Sequence, residues 1–178
     1  VIGLVPATEN MPGPAANKPG DIVTARNGKT IEVNNTDAEG RLILNDALVY
    51  ACEQKPAVIL DVATLTGAMA VALGNLHTGY FTRNDKLSTR IENAAKESGE
   101  WVWRMPLTDH HARDMKGTYA DLSNMSSGKG AGSATAAAFL LRRMHLQHLG
   151  LQAQIPAGKR VVEVEHQIVA LPAEESAG

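Results

Sequence analysis

Cysteine is nearly missing from this chain: of 178 residues, only Cys52 carries a thiol. That excludes an internal disulfide and a cysteine-based structural zinc site, and it fits a reducing compartment, so a cytoplasmic location is expected. Cys52 falls within a helical apolar pattern and reads as a buried, inert thiol rather than a nucleophile. Clustered basic residues are also missing. Lys and Arg number 17 against 19 Asp and Glu, for a net charge of -2, which argues against nucleic acid or an anionic membrane as the main partner. Every long apolar run is broken by Gly, Asn or a charge before it reaches membrane-spanning length. A soluble protein without a membrane partner is expected. An initiator methionine and a charged leader are absent too, since Val1 opens directly into apolar sequence; the expectation is a piece or a processed form of a longer chain.

Turn and period signals divide what is present. Val1 to Pro6 is apolar and β-branched and predicts a short buried strand, and Thr8 to Pro19, with its prolines and asparagines, predicts a loop. Asn27-Gly28 lies between Ile22-Val23-Thr24 and Thr30-Ile31-Glu32-Val33, the strongest short-range hairpin signal. Leu42, Leu44, Ala47, Leu48, Ala51 and Cys52 follow a helical period to Gln54, and Pro56 ends the helix. Ala57 to Ala63 is apolar except for Asp61, as expected of a strand covered on both faces, with Asp61 hydrogen-bonded at the strand end rather than bound to metal. Strand, helix, strand in this order predicts an α/β fold with right-handed crossovers, a mixed sheet flanked by helices.

Thr64 to Thr66 follow the carboxyl end of that strand, where open α/β sheets place ligands, and Gly67 allows close backbone approach. Farther on, a strand is expected within Leu76 to Thr82 and a helix over Asp85 to Ser98. Trp101 to Leu107 reads as an extended segment with both tryptophans packed, and Ser133 to about His148 as a helix. Residues 159 to 169 alternate like an edge strand, and Pro172 to Gly178 reads as a disordered tail. His110 and His111 are adjacent and point too far apart to share a metal, while His145 and His148 lack a third ligand nearby.

The densest chemistry is Asn34-Asn35-Thr36-Asp37-Ala38-Glu39-Gly40-Arg41-Leu42. On an extended backbone Asp37 and Glu39, two apart, would share one face, which suits two hard oxygen donors converging on a divalent cation, and Arg41 continues the alternation. The same text also reads as a helix start, with Thr36-x-x-Glu39 in capping-box spacing before Leu42, Ile43 and Leu44. Both readings stay open on spacing alone.

The string Asn35 to Leu42 resembles the signature of the leucyl (cytosol) aminopeptidase family of dimetal exopeptidases. The resemblance continues through Lys18-Pro19-Gly20-Asp21, Ala63-Thr64-Leu65-Thr66-Gly67-Ala68, Trp103-Arg104-Met105-Pro106-Leu107 and Thr135-Ala136-Ala137. It covers roughly residues 1–141, a partial catalytic domain, and residues 142–178 form a divergent segment. The resemblance implies that Asp37 and Glu39 are ligands in a two-metal centre, with Glu39 bridging. The metals would be Mn or Zn, with Mg or Co also compatible with oxygen ligands. Two cations roughly 3.5–4 Å apart would activate a shared water against the substrate. Arg41 would be the catalytic residue, holding an anion that assists that water or stabilising charge on the attacked carbonyl. Thr64, Leu65 and Gly67 would line the substrate end. The resemblance further implies a peptide substrate, release of a free N-terminal amino acid, and a homo-oligomer, a hexamer in the family. It also places one catalytic lysine and three further ligands before Val1, so this chain alone is expected to have impaired activity; the alternative is an inactive fold acting as a structural or interaction piece.

Overall fold

The computed structural model describes residues 1–142, 150–155 and 166–171. Two sheets organise them. A six-stranded mixed sheet contains β1 (Ile2–Leu4), β4 (Val58–Ala63), β5 (Thr78–Phe81), β6 (Val102–Arg104), β8 (Gly150–Gln154) and β9 (His166–Leu171), in the order β1-β9-β4-β8-β5-β6. A three-stranded sheet, ordered β2-β3-β7, is built from β2 (Ile22–Thr24), β3 (Thr30–Glu32) and β7 (Leu122–Ser123). The fold is α/β, with helices flanking the larger sheet.

The alternation of β4 decides what covers each face. Ile59 and Ala63 are buried with Leu44, Leu48 and Ala51 of α1 (Gly40–Glu53) and with Phe139 and Leu140 of α5 (Gly132–Arg142). Val58, Leu60 and Val62 turn the other way, toward Leu87 and Ile91 of α3 (Asp85–Ser98). Beside α5, α2 (Gly67–Leu73) packs Met69 against Phe81 and Ala137, and the short α4 (Asp109–Arg113) also lies against α5.

The expected hairpin forms: β2 and β3 pair antiparallel, with Gly28 at φ 77°, a backbone state that glycine reaches without steric cost. The bounds expected for α3 also hold. The Asn84 side chain accepts from the Leu87 N–H, and Gly99 at φ 74° closes the last turn.

Four expectations are corrected. β3 and β4 lie in different sheets, so α1 is not a crossover within one sheet but carries the chain from the small sheet to the large one. β1 is an edge strand among the described residues, with Ile2 exposed, because only β9 flanks it there. β9 in turn is interior, between β1 and β4, although alternation suggested an edge. Trp101 and Trp103 are exposed rather than packed, since they lie on and beside β6 at the opposite edge. His145 and His148, residues 143–148 of the last expected helix, residues 159–165 of the expected edge strand and the Pro172 to Gly178 tail lie outside the described residues.

Candidate functional site

The small sheet delivers the chain to the acidic motif. Val33 donates to the Asp21 carbonyl at 2.8 Å and Gly20 donates back to the Val33 carbonyl at 2.8 Å, so the hairpin leaves the sheet along a fixed path. Asn35, with extended φ -140° and ψ 118°, then caps a 3₁₀ turn over Thr36–Ala38, its side-chain oxygen accepting from the Asp37 N–H at 2.9 Å. This is an asparagine closing its own turn two residues on. α1 starts directly afterwards at Gly40.

The helix start expected of the motif is present, but neither the extended spacing nor the Thr36–Glu39 capping box is. Asp37 and Glu39 do not alternate along an extended backbone, because the turn has already begun at Thr36. The cap is Asn35 rather than a Thr36–Glu39 box, and Glu39, at the N-cap of α1, makes no side-chain cap.

Asn124, fully buried just past β7, holds the turn from the side. Its Oδ1 accepts from the backbone N–H groups of Asn34 at 2.8 Å and Asn35 at 3.1 Å. Its Nδ2 donates to the carbonyls of Asn35 at 2.6 Å and Ala38 at 3.4 Å. Its own carbonyl accepts from Arg41 Nη1 at 2.8 Å. Below the turn, Glu32 accepts from the N–H groups of Tyr119 and Ala120 and from the Asn34 side-chain amide.

The charged groups differ in their surroundings. Asp37 is exposed, and Glu39 is half-buried with Oε2 shut off from solvent and, among the described residues, without a hydrogen-bond partner. Arg41 is half-buried, and its Nε is likewise shut off without a partner. Burial lowers the affinity of its guanidinium for the proton, and the nearby Glu39 carboxylate opposes that effect. Asp37 and Glu39 line an open cleft of about 930 Å³, closed on its other side by the loop 9–18.

Thr64, Leu65 and Gly67 lie at the end of β4 and the start of α2, as expected, but are not among the residues lining that cleft. Thr64 and Gly67 are exposed, whereas Leu65 packs on the core beside Ile59 and Ala63. The connection is fastened through Thr66, whose Oγ1 donates to Gln154 Oε1 at 2.5 Å and lies 3.0 Å from Ser133 Oγ. Asp61, expected to be hydrogen-bonded, has no partner on either carboxylate oxygen among the described residues and is 1 % exposed. Burial raises its pKa to about 8.

Sequence reasoning missed Asn124 and Gln154. Both act on segments more than 80 residues away, a separation at which local patterns carry no signal.

Among the described residues, no group of three or more His, Cys, Asp or Glu side chains could hold a metal ion. Asp37 and Glu39 nevertheless suit part of such a donor set: they are hard oxygen donors, and Glu39 Oε2 is a buried acceptor without a hydrogen-bond partner among the described residues.

Comparison with known proteins agrees with the motif. The family described as the cytosol aminopeptidase family, catalytic domain, matches residues 1–166. A probable cytosol aminopeptidase of Bdellovibrio bacteriovorus is 74% identical over 139 residues, covering 78% of this chain and 28% of that protein. One from Burkholderia mallei is 55% identical over 142 residues, covering 80% of this chain and again 28% of the relative. A solved structure of a mutant tomato leucine aminopeptidase superposes with a TM-score of 0.80 at 50% identity, covering 84% of this chain and 30% of that one. The chain thus spans under a third of the length of these relatives.

Proposed function

The chain belongs to the cytosol aminopeptidase family, and from that membership we propose that it carries the carboxylate and arginine half of a metal-dependent aminopeptidase site releasing N-terminal, leucine-type residues from peptides. The observation that carries this reading is that Asp37 and Glu39 both line the 930 Å³ cleft, with Glu39 Oε2 buried and without a hydrogen-bond partner among the described residues. In this reading Asp37 and Glu39 hold divalent cations, Mn or Zn, which when bound polarise the substrate carbonyl and make water a stronger nucleophile at neutral pH.

The chain's own residues do the rest. Arg41, fixed through Nη1 to the Asn124 carbonyl, keeps a permanent positive charge in a half-buried place, where it counts for more than at an open surface. It stabilises negative charge that develops on the attacked carbonyl oxygen. Thr64, Leu65 and Gly67 supply backbone groups to the substrate end, held by the Thr66–Gln154 and Thr66–Ser133 contacts. Assembly into a homo-oligomer and a cytosolic location belong to the same proposal, as does the division of the chain near residue 141.

A second reading is favoured by the lack of a third ligand among the described residues: the chain alone is an impaired enzyme or a structural piece. Two carboxylates make a weak site, so calorimetric titration of Mn²⁺ into the purified chain should give a Kd of roughly 0.1–1 mM. The pair Asp37→Ala/Glu39→Ala should abolish that binding. Binding indifferent to the pair would overturn the ligand assignment. Hydrolysis of a leucine anilide by the chain, lost on Glu39→Ala, would overturn the impaired reading.

A further inference from the structure

Resting on that ligand assignment, we infer that Asn124 is a positioning residue for the carboxylate turn, setting where Asp37, Glu39 and Arg41 sit without touching substrate. Between β3 and the 3₁₀ turn the backbone has left one ladder and not yet entered a helix, so its polar groups need partners from elsewhere. The Asn124 side chain supplies them on both arms: Oδ1 takes the Asn34 and Asn35 N–H groups, and Nδ2 gives to the Asn35 and Ala38 carbonyls. Its main chain binds the same unit, with its N–H on the Glu32 carbonyl at 2.9 Å and its carbonyl on Arg41 Nη1.

An amide is the chemistry this place requires. It must accept from two N–H groups and donate to two carbonyls from one short, fully buried side chain. Aspartate has the same shape but sets an acceptor against both carbonyls, and alanine removes the acceptor of two N–H groups and a donor to two carbonyls, leaving that of Asn35 its 3.3 Å bond from the Ala38 N–H. The three functional side chains descend from the backbone that Asn124 grips, so their directions depend on it. Outer partners of this kind typically change metal affinity by about 10–100-fold when removed.

Two readouts on the purified full chain test this. In metal-free protein, hydrogen exchange followed by NMR should show the Asn34 and Asn35 amides losing protection in Asn124→Ala and keeping it in Asn124→Asp, whose oxygen still accepts. In Mn²⁺ titration, Asn124→Ala should bind about tenfold more weakly or worse, and Asn124→Asp should fall between it and the parent. Protection unchanged in Asn124→Ala overturns the inference. So does parent-like Mn²⁺ affinity in Asn124→Asp, because a residue that merely fills volume tolerates an isostere. If Asn124→Ala does not fold, Asn124→Asp alone still decides. If Mn²⁺ binding proves indifferent to Asp37→Ala/Glu39→Ala, the ligand assignment fails, while amide exchange still supports or overturns the grip of Asn124 on the turn.

Discussion

Glu32 and Asp61 are both carboxylates on strands and both buried, at 6% and 1% exposure, yet they are driven in opposite directions. Glu32, on the small sheet, is met by the N–H groups of Tyr119 and Ala120 at one oxygen and by the Asn34 amide at the other. Those donors, the Tyr119 amide foremost, hold it below the ordinary carboxylate range. Asp61, at the centre of the large sheet, has no donor at either oxygen among the described residues, and burial pushes it up to about 8. Withdrawal from water therefore does not decide whether a buried acid is charged. The donors around it do. The small sheet, beside the candidate site, is built to hold negative charge, and the large sheet carries an acid that is mostly neutral at pH 7.

The largest expected effect comes from removing the unsupported acid. A carboxyl that binds its proton more tightly folded than unfolded favours the folded state at low pH. That contribution fades as pH rises from near 4, where the unfolded group ionises, to about 8, where the folded one does. Asp61→Asn, which cannot ionise, should match the parent near pH 4 and exceed it increasingly toward pH 8. The gain should reach several kcal/mol, at about 1.4 kcal/mol for each tenfold in proton affinity. Urea midpoints measured across pH 4 to 9 would show this. A difference that does not depend on pH would mean Asp61 finds a partner.

Asp61 also shows where sequence reasoning reaches and where it stops. The strand over Val58–Ala63 was legible because its apolar run is continuous, and the β2–β3 hairpin because Asn27-Gly28 fixes a turn locally. Which strands pair was not legible. β3 and β4 carry the pattern of neighbours in one sheet, and only partners far along the chain send them to different ones. β8 was missed because Gln152 and Gln154 look like surface residues. They are fully buried, with Gln154 Nε2 donating to Gln152 Oε1 at 3.1 Å and to the Ser133 carbonyl at 2.9 Å. In the candidate site the acidic motif could be read as text, but its conformation could not. Asn35 competes with Thr36 for the cap, and Asn124 reaches the turn from about 90 residues away.

A second perturbation acts on the donors around Glu32 rather than on the acid. Gly117 precedes the turn whose N–H groups face Glu32, and a Cβ there would lie 2.5 Å from the Ala120 carbonyl oxygen and 2.7 Å from that of Leu122. Both are backbone atoms, so the turn itself must move. Gly117→Ala should destabilise the chain by about 1–3 kcal/mol in denaturant titration and return the Glu32 pKa toward its ordinary value by NMR. Gly128→Ala serves as control, since its Cβ would meet only the Asp114 carboxylate at 3.5 Å, an ordinary contact. Equal effects of the two substitutions would separate the turn from the charge state of Glu32.

The smallest effect is expected from Glu32→Gln, because the amide keeps an oxygen for the Tyr119 and Ala120 N–H groups and loses only the second acceptor. The replaced atom becomes a donor facing the Asn34 Nδ2 donor at what was a 3.2 Å hydrogen bond, so a modest loss of stability follows at neutral pH. A carboxyl held below its unfolded value stabilises the fold above that value, near 4.5, and its contribution is lost as pH falls through the lower, folded one. The gap between parent and Glu32→Gln should therefore be constant at neutral pH and shrink below about pH 4.5, the mirror of the Asp61 behaviour. Thermal midpoints at pH 7, 5 and 3 check it. A gap that persists undiminished at pH 3 would mean that shape, not charge, is what Glu32 contributes beneath the turn.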